Sequence, residues 1–83
     1  LTEGLYRNEF QIMKDILLVA QSGALLTHLY YKANSNYRHV KGYVDRALKA
    51  RLLRQDGHRF YTTDKGKEFI LHVLNLESML VRE

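Results

Sequence analysis

The sequence predicts a mainly α fold with a small β-hairpin (α+β), in a single domain. Three observations predict it. Apolar residues recur at helical spacing in three separate stretches. Asp56-Gly57 separates two short β-like runs, a hairpin turn signal. The 83 residues contain no linker, repeat or low-complexity segment, and so build one small core.

Asn8 is placed to cap a first helix, with Gln11 at the capping-box position. Ile12, Met13, Ile16, Leu17 and Ala20 follow at helical spacing, and Gly23 is a C-terminal stop, so this helix spans roughly residues 9 to 21. Ala24 to Leu26 is short and apolar, suited to one brief strand. Thr27 is expected to cap a second helix of under two turns. Asn34-Ser35-Asn36 then breaks it, because Asn and Ser side chains bond nearby backbone groups. Asn36 is the expected cap of a third helix, from about Tyr37 to Ala50. Leu52 to Gln55 and Arg59 to Thr62 form the hairpin, and Thr63 caps a last helix that runs to the C-terminus. Helix, short strand, helix, turn, helix, hairpin, helix is the order of a winged helix-turn-helix. Residues 1–66 would form that domain and residues 67–83 a C-terminal helix, together one structural unit.

The net charge of +4 is unevenly spread. Residues 28–67 hold ten Lys or Arg against three acids; the remainder holds three against six. A polyanion would be drawn to the middle of the chain and not to its ends. There is no Cys, which removes disulfides and thiolate zinc sites and fits a reducing cytoplasm. His28, His39, His58 and His72 lack metal-ligand spacing, so neither metal nor cofactor is expected. No glycine-rich phosphate loop, nucleophile–base pair or paired carboxylates appear, which argues against an enzyme. No apolar run approaches the roughly 18 residues of a membrane span.

The third helix has two faces. Val40, Val44, Ala47 and Leu48 make an apolar stripe flanked by Tyr37 and Tyr43; Arg38, Gly42, Asp45, Arg46 and Lys49 lie opposite, with His39 and Lys41 on the shoulders. Such a helix can pack inward while its outer face enters a DNA major groove. Arg38, in the first turn, is placed to read a guanine edge. Lys41, Arg46 and Lys49 suit phosphates, which position a protein without reading sequence. His39 is a further candidate contact. Asp45 either accepts from a cytosine amino group or pairs with Lys41 or Lys49 at i±4 spacing. The helix starts at Thr27 and at Asn36 and Tyr37 offer backbone N–H groups to phosphates. His58 and Arg59 form the tip of the wing. Taken singly, each cation reads equally well as a solvated surface charge. Tyr31, Tyr37 and Tyr43 are expected at the margins of the core.

The tail is unusually apolar. Phe69, Val73, Leu76 and Leu80 repeat at the 4-3-4 spacing of a coiled-coil seam, with Ile70, Leu74 and Val81 as a second stripe. One stripe can cover the first helix; the other would pair with a second copy, unless the domain's own core absorbs both. A homodimer would match the two-fold symmetry of palindromic sites.

Several blocks resemble the small archaeal winged-helix proteins. Asp15-Ile16-Leu17 with Ala20, then Thr27, Leu29, Tyr31, Ala33, Asn34 and Tyr37, then Tyr43, Val44 and Leu48, then Tyr61, Thr63, Lys65 and Gly66 follow the family pattern from about Asn8 to Phe69. The resemblance implies a double-stranded-DNA-binding regulator of transcription or a chromatin-associated protein. It also implies dimerisation through the C-terminal helix; with the reducing setting that the lack of Cys fits, the expected location is cytoplasmic and nucleoid-associated. Arg51 departs from the pattern, standing where the family carries Gly, and Asn36 replaces a Ser cap. The competing reading is a winged-helix protein-interaction module that binds no DNA.

Overall fold

The computed structural model describes residues 8–32 and 37–80. The elements follow in the expected order: α1 (Glu9–Val19), a 3₁₀ turn (Ala20–Ser22), β1 (Ala24–Leu25), α2 (Leu26–Lys32), α3 (Tyr37–Lys49), β2 (Leu53–Asp56), β3 (Arg59–Thr62) and α4 (Asp64–Leu80). The fold is the α+β winged helix that the sequence predicts. The strands form one antiparallel sheet in the order β1-β3-β2.

The capping box at α1 forms as read. Asn8 Oδ1 accepts from the Gln11 backbone N–H at 2.9 Å, and Gln11 Oε1 accepts from the Asn8 N–H at 3.2 Å. At the other end, Gly23 takes φ 95° and lies so close to the Tyr61 ring that a Cβ would come within 2.7 Å of it. Only Gly satisfies both conditions.

Four expectations shift. α2 starts at Leu26, so Thr27 lies inside the helix and is not its cap. β1 contributes only Ala24 and Leu25 to the ladder, and the chain turns into helix directly after them. In the hairpin, Asp56 still pairs with Arg59, so the two-residue loop is Gly57-His58 and not Asp56-Gly57. Gly57 alone in that loop has positive φ (65°), which fixes it as the first loop residue. Tyr31 is 81% exposed and does not border the core. Leu29 is 0% exposed and takes the inward place of this short helix; Tyr31, two residues on, points almost oppositely. Asn36, the side chain of Tyr37 and Val81 lie outside the described residues.

Ile16, Leu17, Ala20, Leu29, Val40 and Ala47 are fully buried at the centre of the core, where α1, α2 and α3 meet the sheet. Each large aliphatic there contributes roughly 1.5–3 kcal/mol by leaving water. Among the described residues Thr62 is the buried polar one, and its hydroxyl donates to the Leu17 carbonyl, so its burial leaves no orphan group.

The exit from α3 is a Schellman motif. Leu52 N–H bonds the Ala47 carbonyl at 2.8 Å, Arg51 N–H bonds the Leu48 carbonyl at 3.1 Å, and Arg51 adopts φ 64°. The start of α4 locks this turn. Thr63 Oγ1 donates to the Arg51 carbonyl at 2.6 Å and accepts from the Gly66 N–H at 3.0 Å, as the helix cap. Lys65 Nζ donates to the Ala50 carbonyl at 2.8 Å. A Cβ on Gly66 would collide with the Leu52 carbonyl oxygen. Thr63, Lys65 and Gly66 thus share one task, holding the last turn of α3 against the first turn of α4.

Candidate nucleic-acid interface

α3 is fixed from its inner side. Val40, Val44 and Ala47 are at most 2% exposed, and Tyr43 and Leu48 are half-buried beside them. That anchoring dictates what faces out. Arg38, Gly42, Asp45 and Lys49 fall within an arc of about 60° at 100° per residue, and all four are exposed. Among the described residues nothing lies within 4 Å of the position a Gly42 Cβ would take, so the middle of this face is open.

The two shoulders differ. Lys41 Nζ is 3.5 Å from Asp45 Oδ2, the i,i+4 pairing, which selects the salt-bridge reading of Asp45 in the unbound chain. Arg46 turns toward α1. Its guanidinium lies 3.2 Å from Glu9 Oε1 and 5.5 Å from the centroid of the Tyr43 ring. Of the four cations expected to act together, two stand on the open face and two are held by carboxylates of the same chain. His39 is exposed on the Arg46 side.

The wing carries further exposed residues. His58 and Arg59 are exposed, and Thr27 and His58 share a shallow cleft between the start of α2 and the hairpin, with Gln55 and Phe60 on its walls. The sequence reading missed Arg54, whose guanidinium lies 4.5 Å over the Tyr61 ring. The two are cross-strand partners, so the hairpin register was the signal that would have found them. It also missed the Glu9–Arg46 pair, which joins residues far apart in sequence and has no local signal.

The expected dimer seam divides. Val73 is 6% exposed and packs within its own chain, beside Ile70 at 4%. Phe69 is half-buried against the core, its ring centroid 6.4 Å from that of Phe10. Leu76 (59%) and Leu80 (81%) are exposed and border an apolar groove with Phe10 and Met79. At this end α4 is pinned to α1 by Glu77, which accepts from Lys14 Nζ at 2.9 Å and from Gln11 Nε2 at 3.2 Å. The Lys14 hydrogen bond is the main reason the Glu77 carboxyl titrates below its ordinary range. Among the described residues, no helix is long and apolar enough to cross a membrane.

The comparisons agree with this geometry. The crystal structure of Sso10a-2, a DNA-binding protein from Sulfolobus solfataricus, superposes with a TM-score of 0.76 at 27% identity, covering 88% of this chain and 81% of that one. The similarity to small archaeal winged-helix proteins therefore holds in three dimensions. No curated protein sequence matches the chain. A family model described as winged helix-turn-helix matches residues 6–80. With that match spanning nearly the whole sequence, the chain belongs to the winged helix-turn-helix family.

Proposed function

We propose that this protein binds double-stranded DNA as a homodimer, with α3 in the major groove and the Gly57-His58 wing beside it. The observation that carries the reading is the two-sidedness of α3: Val40, Val44 and Ala47 are buried while Arg38 and Lys49 stand together around the open Gly42. The DNA-binding character of Sso10a-2 supports it. Arg38 reads a base edge; Lys41, Arg46, Lys49 and Arg59 meet phosphates, with His39, Thr27, His58 and the Asn36–Tyr37 helix start as further contacts. Leu76 and Leu80, with Phe69 and Val73 beneath them, carry the dimer contact. The protein acts as a transcription regulator or a chromatin-associated protein of the nucleoid, and no catalytic role is assigned to it.

The test is a binding series with random and selected duplex at several salt concentrations. Affinity should fall steeply with salt, because each phosphate contact releases counterions. Arg38→Ala should relax sequence preference and cost about 1–3 kcal/mol on the selected site. Lys49→Ala should weaken all duplexes about equally and reduce the salt slope by about 1. If Arg38→Ala changes neither affinity nor preference, α3 is not the reader. A wild-type protein with no duplex binding at moderate salt would favour the interaction-module reading, whose feature is the exposed apolar face of α4.

A further inference from the structure

The ion pairs on the shoulders of α3 set up an exchange. Arg46 and Glu9 are 62% and 49% exposed, Lys41 and Asp45 49% and 55%. Lys14 and Glu77, by contrast, are 14% and 28% exposed, and that carboxylate accepts three hydrogen bonds. The first two pairs are solvated, single-bonded and weak, the kind that opens readily. The third is a fixture of the fold.

From this we infer that Glu9 and Asp45 act as internal stand-ins for phosphate and set how strongly the protein holds DNA of any sequence. The inference rests on the proposed duplex binding. Arg46 and Lys41 lie at the two edges of the outward face, where a helix in a major groove meets the flanking backbones. In the free protein each has a carboxylate of its own. To grip a phosphate, Arg46 must leave Glu9 and Lys41 must leave Asp45.

The freed carboxylates are not equivalent. Glu9 lies in the first turn of α1, where the helix N-terminus favours negative charge after Arg46 departs. In the free protein the Arg46 guanidinium also lies 5.5 Å from the centroid of the Tyr43 ring, a second weak contact beside the carboxylate. Asp45 stands on the outward face itself, within reach of the groove.

Such an arrangement lowers affinity for every duplex by a similar factor, because the same two pairs open in any complex that places Arg46 and Lys41 on phosphates. Generic binding is almost entirely phosphate contact, whereas a specific complex adds base contacts from Arg38 that neither acid opposes. Glu9 and Asp45 are therefore determinants of overall affinity, with Glu9 acting through Arg46 and Asp45 through Lys41, while sequence preference stays with Arg38.

The test is a pair of double-mutant cycles read on random duplex across a salt series. Glu9→Gln should tighten binding about two- to fivefold and steepen the salt slope by up to about one, because a carboxylate no longer takes up a cation when Arg46 leaves it. In the Arg46→Ala background the same change should do nothing. Asp45→Asn should behave likewise and lose most of its effect in Lys41→Ala. Glu68→Gln, which removes the same charge from an exposed position on α4, controls for net charge and should change little. Thermal melts of every variant separate binding from folding. Equal gains from Glu9→Gln with and without Arg46, or gains matched by Glu68→Gln, would overturn the inference while leaving duplex binding intact. A wild-type protein that binds no duplex would overturn the functional proposal and this inference with it.

Discussion

At the scale of single residues, Arg51 and Gly66 carry opposite exceptions to backbone rules. Arg51 occupies a left-handed position that favours Gly, with φ 64°. Gly66 occupies a helical position that ordinarily favours Ala. Arg51→Gly should raise stability by about 0.5–1 kcal/mol, the steric relief being partly offset by the greater freedom of Gly in the unfolded chain. Gly66→Ala should lower it by about 1–3 kcal/mol, since overpacking against a carbonyl outweighs the gain in helix propensity. Thermal melts at one concentration check both signs. The position of Arg51 was marked in advance only by the resemblance, as a residue standing where the family carries Gly. The reason for Gly66 was not legible in the sequence, because it lies in the Leu52 carbonyl, which reaches that point only through the tertiary packing of α3 on α4.

At the scale of elements, the helices and hairpin were legible because each rests on a local signal: a capping box, an apolar period, a positive-φ Gly. Boundaries failed where tertiary contacts decide, as at Leu26, which leaves the strand for the helix once β1 has paired two residues with β3. The faces of α3 were readable from periodicity, but which of its cations are paired was readable only for Lys41, whose acid lies on the same helix. The α1–α4 tie through Glu77 was invisible for the same reason as Glu9–Arg46: its partners lie at opposite ends of the chain. It nevertheless gives a prediction with a definite sign. Glu77 is depressed in the folded chain, so its contribution is complete above the unfolded carboxylate range, near pH 4.5, and is lost as pH falls through the lower folded value. Denaturant melts between neutral and acid pH should show this loss in wild type. Glu77→Gln should remove that part of the acid dependence, leaving the other carboxylates' share, and should be less stable than wild type at neutral pH.

At the scale of the whole molecule, charge and apolar surface lie on different parts of the chain. The cations gather on α3 and the wing, whereas Leu71, Leu76, Met79 and Leu80 expose 59–81% of their surface on α4, with Phe10 at 55% beside them. A chain of 83 residues has little core to spare, and a run of exposed leucines on one helix is more than scattered surface apolarity. Its two sides are unequal. Leu76, Leu80 and Met79 form a continuous wall with Phe10, whereas Leu71 and Leu74 flank the opposite side of the helix. The first side is the one expected to meet a second copy, related by a two-fold axis that also pairs the two α3 helices. Leu76→Glu places a charge in the middle of that contact without touching the buried Ile70 and Val73. It should convert a dimer to a folded monomer in sedimentation, with the helical signal retained and the melting temperature no longer dependent on concentration. Its duplex affinity should fall by about 10² or more, because the second α3 no longer binds at the effective concentration that the first supplies. A wild-type protein that sediments as a monomer, with Leu76→Glu binding duplex equally well, would show that α4 turns its apolar face to something other than a second copy of itself.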